Sequence, residues 1–166
     1  MIIARFIKLY FALIIMPALF SFNHPQKIIF QLPIDRANTT SVSNIENEIF
    51  AYINLHRKLA GLKPLQLSNI ESSAAAQHSN NMASGKISFG HDGFSKRIQA
   101  IADRLGSINA SAENVAFGRM SAKQVVGVWL QSSRHRKNIE GDFTLTGIGV
   151  AEGERGMIYY TEIFTR

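Results

Sequence analysis

The chain has 166 residues, of which 46% are hydrophobic, and a formal net charge of +6. This length suits one domain with a short additional segment, and the apolar content is too high for a disordered chain. Cysteine is absent, which excludes a disulfide framework, thiolate zinc sites and a cysteine nucleophile. The positive charge is diffuse and is not interleaved with stacking aromatic residues, so we expect no nucleic-acid binding.

The N-terminal segment indicates export. Arg5 and Lys8 precede a mostly apolar run over residues 9–22, which is the pattern of a secretory signal peptide. The run is short for a membrane span, and no good cleavage site ends it. We therefore predict a signal peptide or an uncleaved anchor over residues 1–22, with membrane contact only through that segment. The rest of the chain is expected outside the cytoplasm, in an extracellular, periplasmic or cell-envelope location.

Prolines and polar residues predict a linker over residues 23–42, and the folded part is predicted over residues 43–166. Its first two thirds show apolar residues at helical spacings of three and four. Three of the four predicted helices begin with a capping-box spacing. The landmarks of the four helices are Ser43, Glu46 and Leu59; Ser68, Glu71 and Gly85; Ile98, Ile101 and Gly106; and Ser121, Gln124 and Leu130.

The pattern changes near the C-terminus. Residues 146–151 and 157–165 predict two β-strands, joined by a glycine-containing reversal at residues 152–156. Residues 114–117 predict a further short strand. Because helices come first and strands gather late, the sequence predicts an α+β fold rather than alternating βαβ units.

Two histidines and a carboxylate are the candidates for chemistry. His91 lies between glycines in a predicted loop, His135 follows the helix of Trp129, and Glu113 lies between them in the sequence. If they meet, neutral imidazoles and a carboxylate can form a metal site with an open position, or an acid–base pair. Spacing alone does not decide whether they meet.

Serine offers a competing interpretation. Ser132 or Ser133 near His135, with Glu113 as the orienting acid, would supply the residue types of a hydrolytic triad. The sequence has no Gly-x-Ser-x-Gly elbow. We therefore interpret Ser132 as the cap of the short segment that carries His135.

Other polar and aromatic residues receive structural interpretations. His78 shares a helical face with apolar residues and is expected inside or at the rim of the core, as is His56. His24 belongs to the predicted linker. Trp129 is expected to anchor the core, and Asn114 is expected to support the neighbouring carboxylate through backbone hydrogen bonds.

Seven short motifs occur in an order that resembles the CAP superfamily, which includes cysteine-rich secretory proteins, antigen 5 and plant pathogenesis-related 1 proteins. The resemblance covers about residues 45–166 and is closest to the bacterial, disulfide-free branch. The motif residues are Asn54 and Arg57 ahead of Gly61 and Pro64; His78, Ser79 and Met82; Gly90 and His91; Ala112, Glu113, Asn114 and Val115; Trp129, Ser132, His135, Asn138 and Ile139; Gly147 and Gly149; and Tyr160 and Phe164.

The resemblance implies an α–β–α sandwich with a small antiparallel sheet between helical layers. It also implies a central cavity lined by two histidines and acidic residues, with which divalent metals, often zinc, are associated. His91, Glu113 and His135 match the family's cavity residues and are the expected metal ligands. Animal members have another glutamate where this chain has Ser132, so Glu162 on the last predicted strand is the candidate replacement.

The expected function is therefore that of an exported binding module of the cell envelope or extracellular space. Its cleft would hold a divalent metal, a small ligand, a lipid or an envelope component; lipid and sterol binding is described for some eukaryotic members of the family. The alternative is a metal-dependent or histidine-dependent hydrolase that acts on peptide or cell-envelope material.

Overall fold

The computed structural model describes residues 42–166, so the predicted segment 1–22 and almost all of the predicted linker lie outside the described residues. Within 42–166 no helix is both long enough and apolar enough to span a bilayer. The elements in chain order are α1 (Val42–Leu59), β1 (Gln66–Leu67), α2 (Asn69–Ala83), α3 (Phe94–Leu105), β2 (Ser111–Gly118), α4 (Ala122–Gln131), α5 (Ser133–Ile139), β3 (Leu145–Glu152), a 3₁₀ turn (Glu154–Gly156) and β4 (Ile158–Thr165).

The strands form one mixed sheet in the order β1-β3-β4-β2. β4 pairs antiparallel with both β2 and β3, whereas β1 pairs parallel with β3. In this register Glu162 lies opposite Asn114 and Ile148, whereas Glu113 lies opposite Ile163. Because successive side chains of a strand alternate between faces, Glu113 and Glu162 project from opposite faces of the sheet.

Different helices cover the two faces. On one face Ala75 of α2 and Ile101 of α3 form a buried cluster with Ile163 of β4. On the other face α1 and α4 form the larger core, in which Trp129 and Tyr160 are fully buried. The predicted α+β class and the α–β–α sandwich are therefore confirmed.

The side chains predicted to cap α1 and α4 make different hydrogen bonds. The capping box at Ser121 and Gln124 is complete, with both reciprocal hydrogen bonds. α1 instead begins at Val42, and the carboxylate of Glu46 accepts a hydrogen bond from Val150 N on β3 (2.9 Å). A carboxylate predicted to cap a helix therefore fastens that helix to the sheet.

Two short elements and one strand boundary were not predicted. β1 and α5 are too short to show a period in sequence. β2 spans Ser111–Gly118 rather than the predicted 114–117, so Glu113 lies on a strand and not in a loop. Its side chain is therefore directed by the pleat of the sheet.

α2 lies directly on β3 because two glycines of the strand leave room for it. A Cβ added at Gly149 would stand 2.0 Å from Ala76 N, and one added at Gly147 would stand 2.1 Å from Ser72 N. Ser79 donates a hydrogen bond to Gly149 O at 2.8 Å, which fixes the same contact. Any side chain at these two strand positions would force the layers apart.

Gly149→Ala should destabilise the fold by at least about 3 kcal/mol, because its methyl group would overlap the backbone of α2. Gly127→Ala is the matched control, since no atom lies within 4 Å of a Cβ added there in α4. The control should gain roughly 0.5–1 kcal/mol, because alanine is the better helix former. Urea unfolding measures both; equal stabilities of the two variants would contradict the close packing of α2 on β3.

Candidate functional site

The carboxylate of Glu113 is the centre of the candidate site. Its side chain is 2% exposed and both oxygens are hydrogen-bonded. Arg97 donates through Nε to Oε2 (2.9 Å) and through Nη2 to Oε1 (2.7 Å), and His91 Nδ1 lies 2.9 Å from Oε1. A buried carboxylate is costly unless it is paired, and the two-pronged contact with a guanidinium is the strongest pairing available to it.

The loop before α3 requires glycine at two positions. Gly90 has φ +148° and Gly93 has φ +77°, values that glycine adopts without the steric cost that a Cβ imposes. The loop presents His91 between these glycines to β2. Half of the His91 side chain stays exposed (49%) while its Nδ1 contacts Glu113, so the imidazole is both oriented and accessible.

Two further side chains hold this loop. Arg97 donates through Nη1 to Asp92 O (2.8 Å), and His78 Nε2 donates to Gly90 O (2.9 Å). His78 is 1% exposed and its Nε2 lies 3.9 Å from Glu113 Oε1. Burial, with a smaller effect of the Arg97 charge, lowers the pKa of His78, so this histidine is neutral near pH 7 and supports the loop as a donor.

A second set of hydrogen bonds ties α5 to the same strand. Asn114 Nδ2 donates to His135 O (3.2 Å), and Asn138 Nδ2 donates to Asn114 Oδ1 (2.8 Å) and to Glu113 O (3.3 Å). The support predicted for Asn114 is therefore present, although it acts on α5. These bonds place His135 beside the strand position that carries the carboxylate.

The environment of His135 differs from that of His91. His135 Nδ1 is buried and has no hydrogen-bond partner. Burial lowers the pKa of His135, and the charges of His91 and Arg134 lower it further. His135 is therefore neutral near pH 7. Its two ring nitrogens differ, because only Nδ1 is among the buried atoms without a hydrogen-bond partner.

These contacts assign different protons to the two imidazoles. His91 Nδ1 faces a carboxylate, which only accepts, so Nδ1 carries a proton, and in the neutral ring Nε2 keeps its lone pair. A buried N–H without an acceptor costs about 1–3 kcal/mol, so we expect His135 to carry its proton on Nε2. His91 is near enough to His135 to affect its pKa, and we call His91, Arg97, Glu113 and His135 the polar cleft, in which these tautomers would offer one acceptor and one donor.

The predicted metal site does not fit this arrangement. Both oxygens of Glu113 are occupied by Arg97 and His91, and the positive charge of Arg97 opposes a cation. A metal on His135 Nε2 would also leave a proton on the buried Nδ1. Among residues 42–166 no group of three or more His, Asp or Glu side chains is placed to hold a metal ion. Zinc binding therefore stays a prediction, and it would require Arg97 to release Glu113.

The two remaining predicted site residues make no hydrogen bond with His91, Glu113 or His135 in the described part of the chain. Ser132 joins α4 to α5 at the predicted N-cap position, but its side chain makes no capping hydrogen bond. Glu162 is fully buried on the sheet face opposite to Glu113 and therefore does not supply a further acid to the cleft. Thr146 Oγ1 donates to its Oε1 (3.3 Å), and burial raises the pKa of Glu162 to about 8.

Sequence reasoning missed the role of Arg97 and the proximity of His78 to the carboxylate. In the sequence Arg97 is only one of the diffuse positive charges. The signal for its role is its position in the first turn of the helix that follows the His91 loop, close in sequence to that candidate site residue. His78 is buried as predicted, but its contact with Gly90 O depends on a loop conformation that no sequence period encodes.

Residues 50–164 match the CAP family of cysteine-rich secretory proteins. The chain belongs to this family. The uncharacterized protein YkwD of Bacillus subtilis is 34% identical over 128 residues, which cover 71% of this chain and 49% of YkwD. The uncharacterized membrane protein YlbC of the same organism is 30% identical over 126 residues, which cover 73% of this chain and 34% of YlbC. The chain thus spans about half or less of these CAP relatives.

Solved structures share the fold. An extracellular protein containing an SCP domain from Bacillus anthracis has a TM-score of 0.64 and 26% identity, over 80% of this chain and 45% of that one. An outer surface protein from Borrelia burgdorferi has a TM-score of 0.65 and 19% identity, over 78% of this chain and 96% of that one. The second similarity shows the fold alone.

Glu162→Gln should change how stability depends on pH. The pKa of Glu162 is raised from 4.5 to about 8 in the folded chain. The protonated carboxyl therefore contributes its full stabilisation below pH 4.5. This contribution falls by about 1.4 kcal/mol per pH unit as pH rises from 4.5 to about 8, and is lost above that. Glutamine does not ionise, so the Tm of the variant relative to wild type should rise between pH 5 and pH 8. The exposed Glu154→Gln is the control; equal profiles for both variants would contradict the buried carboxyl.

The proton assignment is tested by nitrogen NMR of the histidine rings at pH 8. We expect His91 as the Nδ1–H tautomer, because its Nδ1 faces Glu113, and His135 as the Nε2–H tautomer, because its buried Nδ1 has no acceptor. Glu113→Gln should weaken the preference of His91 for the Nδ1–H tautomer, whereas the preference of His135 for the Nε2–H tautomer should persist. Identical tautomers for His91 and His135 in the wild type would refute the donor–acceptor pair.

Proposed function

We propose that this chain is an exported binding module of the cell envelope or extracellular space, and that its polar cleft takes a small neutral polar ligand. One observation carries the proposal. Arg97 neutralises the buried carboxylate of Glu113 internally, so the polar groups left for a ligand are the imidazoles of His91 and His135. Few, fixed polar groups of this kind give a ligand site its orientation and specificity.

The hydrogen-bond pattern selects the ligand class. His91 Nε2 accepts and His135 Nε2–H donates, so one group that both donates and accepts satisfies both rings. A hydroxyl or a primary amide has this property, whereas a cation or a carboxylate does not. The rings are held by Glu113 and by the hydrogen bonds between α5 and β2, so little ordering is needed on binding.

Export is supported by the N-terminal pattern and by the relatives. The basic start and apolar run over residues 1–22 are typical of a signal peptide or anchor. One solved structure of the same fold, 26% identical to this chain, is described as an extracellular protein. We extend this location to the present chain, where the ligand would come from the surroundings or the envelope.

A second candidate is histidine-dependent hydrolysis of peptide or envelope material. It is favoured by the 2.9 Å contact between His91 Nδ1 and Glu113 Oε1, which orients the imidazole as a general base does in a triad. Within residues 42–166 neither Ser132 nor Ser133 hydrogen-bonds to a histidine, so the base would have to activate water. This reaction would need turnover that substitution of either cleft histidine abolishes.

The binding proposal is tested with neutral fragments that carry a hydroxyl or a primary amide, added to the purified protein. Binding should move the nitrogen signals of both cleft histidines. His91→Ala and His135→Ala should each weaken it at least tenfold, which corresponds to about 1.4 kcal/mol. The control is His56→Ala, which removes a histidine that contacts Glu140 outside the cleft.

Zinc calorimetry and melting temperatures separate the metal alternative. If the cleft binds polar ligands, zinc should act alike on wild type, His91→Ala and His135→Ala. A zinc-dependent rise in Tm that only these two variants lose would make a metal the occupant. Hydrolysis of peptide or peptidoglycan by wild type, but by neither variant, would replace the binding proposal with the hydrolase.

A further inference from the structure

Three neighbouring aromatic rings, two exposed and one partly buried, lie at the sheet face that carries Glu113. The ring centroids of Phe89 and Phe117 are 4.7 Å apart, and those of Phe117 and Tyr159 are 5.9 Å apart with an interplanar angle of 21°. Phe89 is 46% exposed and Phe117 is 49% exposed. Contiguous apolar rings left in water mark an interaction site more often than a scattered apolar residue does. We call Phe89, Phe117 and Tyr159 the aromatic strip.

The aromatic strip is continuous with the polar cleft. The loop runs alongside β2, since His91 contacts Glu113 while Phe89 contacts Phe117. Glu113 and Phe117 point to the same face because they are separated by an even number of strand positions, about 13 Å at 3.3 Å per residue. One extended ligand can therefore contact the imidazoles at one end and the rings at the other.

We propose that the cleft and the aromatic strip together bind a carbohydrate chain; the inference rests on the proposed function of the cleft and names its ligand class. A sugar hydroxyl donates to His91 Nε2 and accepts from His135 Nε2–H at the same time. The C–H faces of the adjoining sugar rings pack on Phe89 and Phe117, and their equatorial hydroxyls stay in water. A short oligosaccharide thus satisfies both the polar and the aromatic part of the surface.

Two other extended ligands fit less well. A peptide that added to the sheet would need free backbone groups on the outer edge of β2. There Glu113 O already accepts from Asn138 (3.3 Å) and Val115 O accepts from Trp129 Nε1 (3.3 Å), so strand addition is blocked at these positions. An alkyl chain would cover the rings but would leave the donor and acceptor of the cleft without partners.

The test is calorimetric titration of the full chain with chitotetraose, cellotetraose and, as the peptide probe, tetra-alanine. At least one oligosaccharide should bind saturably, and tetra-alanine should not. Phe89→Ala and Phe117→Ala should each weaken the binding about tenfold, the loss of about 1.4 kcal/mol. The matched control is Val128→Ala, which removes a 47% exposed apolar side chain on α4 and should change nothing.

Phe117→Leu keeps an apolar side chain while it removes the aromatic face, so weaker binding at an unchanged Tm separates ring stacking from misfolding. If His91→Ala abolishes oligosaccharide binding but both phenylalanine variants retain it, the role of the aromatic strip is overturned and that of the cleft is kept. If neither oligosaccharide binds saturably, the carbohydrate inference is overturned. The fragment titration tests ligand binding by the cleft independently. Tetra-alanine binding lost with Phe117 would assign the surface to peptides and overturn the inference.

Discussion

The candidate site depends on the pairing of one buried carboxylate. Glu113 stands on a strand covered from both sides, where an unpaired charge would cost several kcal/mol. Arg97 meets that need with two hydrogen bonds, and in doing so it fixes the first turn of α3 against β2. The loop before α3 then has to pass over the strand, which brings His91 to the remaining lone pair. The position of the imidazole is thus a consequence of charge neutralisation.

The pairing of Glu113 with Arg97 also changes how the two histidines and the glutamate of the cleft are interpreted. His91, Glu113 and His135 have the composition of a metal site, and a composition does not reveal which lone pairs are already in use. The tautomer of a ring depends on the partners of its nitrogens: His91 Nδ1 faces a carboxylate, whereas His135 Nδ1 is buried without a hydrogen-bond partner. With the proposed tautomers, these two histidines would present opposite hydrogen-bonding nitrogens to a ligand, which would suit the cleft to neutral groups.

Much of the architecture was predictable because it is local. Helical periods, the cap at Ser121 and the C-terminal alternation all depend on neighbours within a few residues, and the ordered motifs predicted the family. The rest depends on contacts between distant segments. The face on which Glu162 lies is set by strand register, which a shift of one residue would reverse. The pairing of Arg97 with Glu113 joins residues on different elements, and α5 is too short for a period.

The order of the strands has a consequence for how the chain folds. The centre of the sheet is the pair β3 and β4, which comes last in the sequence, and β1, β2 and α2 all dock on it. The preceding segments thus lack a large part of the surface on which they bury their apolar faces until β3 and β4 have been made, and such distant contacts form slowly. A nascent chain of this design therefore cannot close its sheet before β4, the strand that joins β2 to β3, has been made.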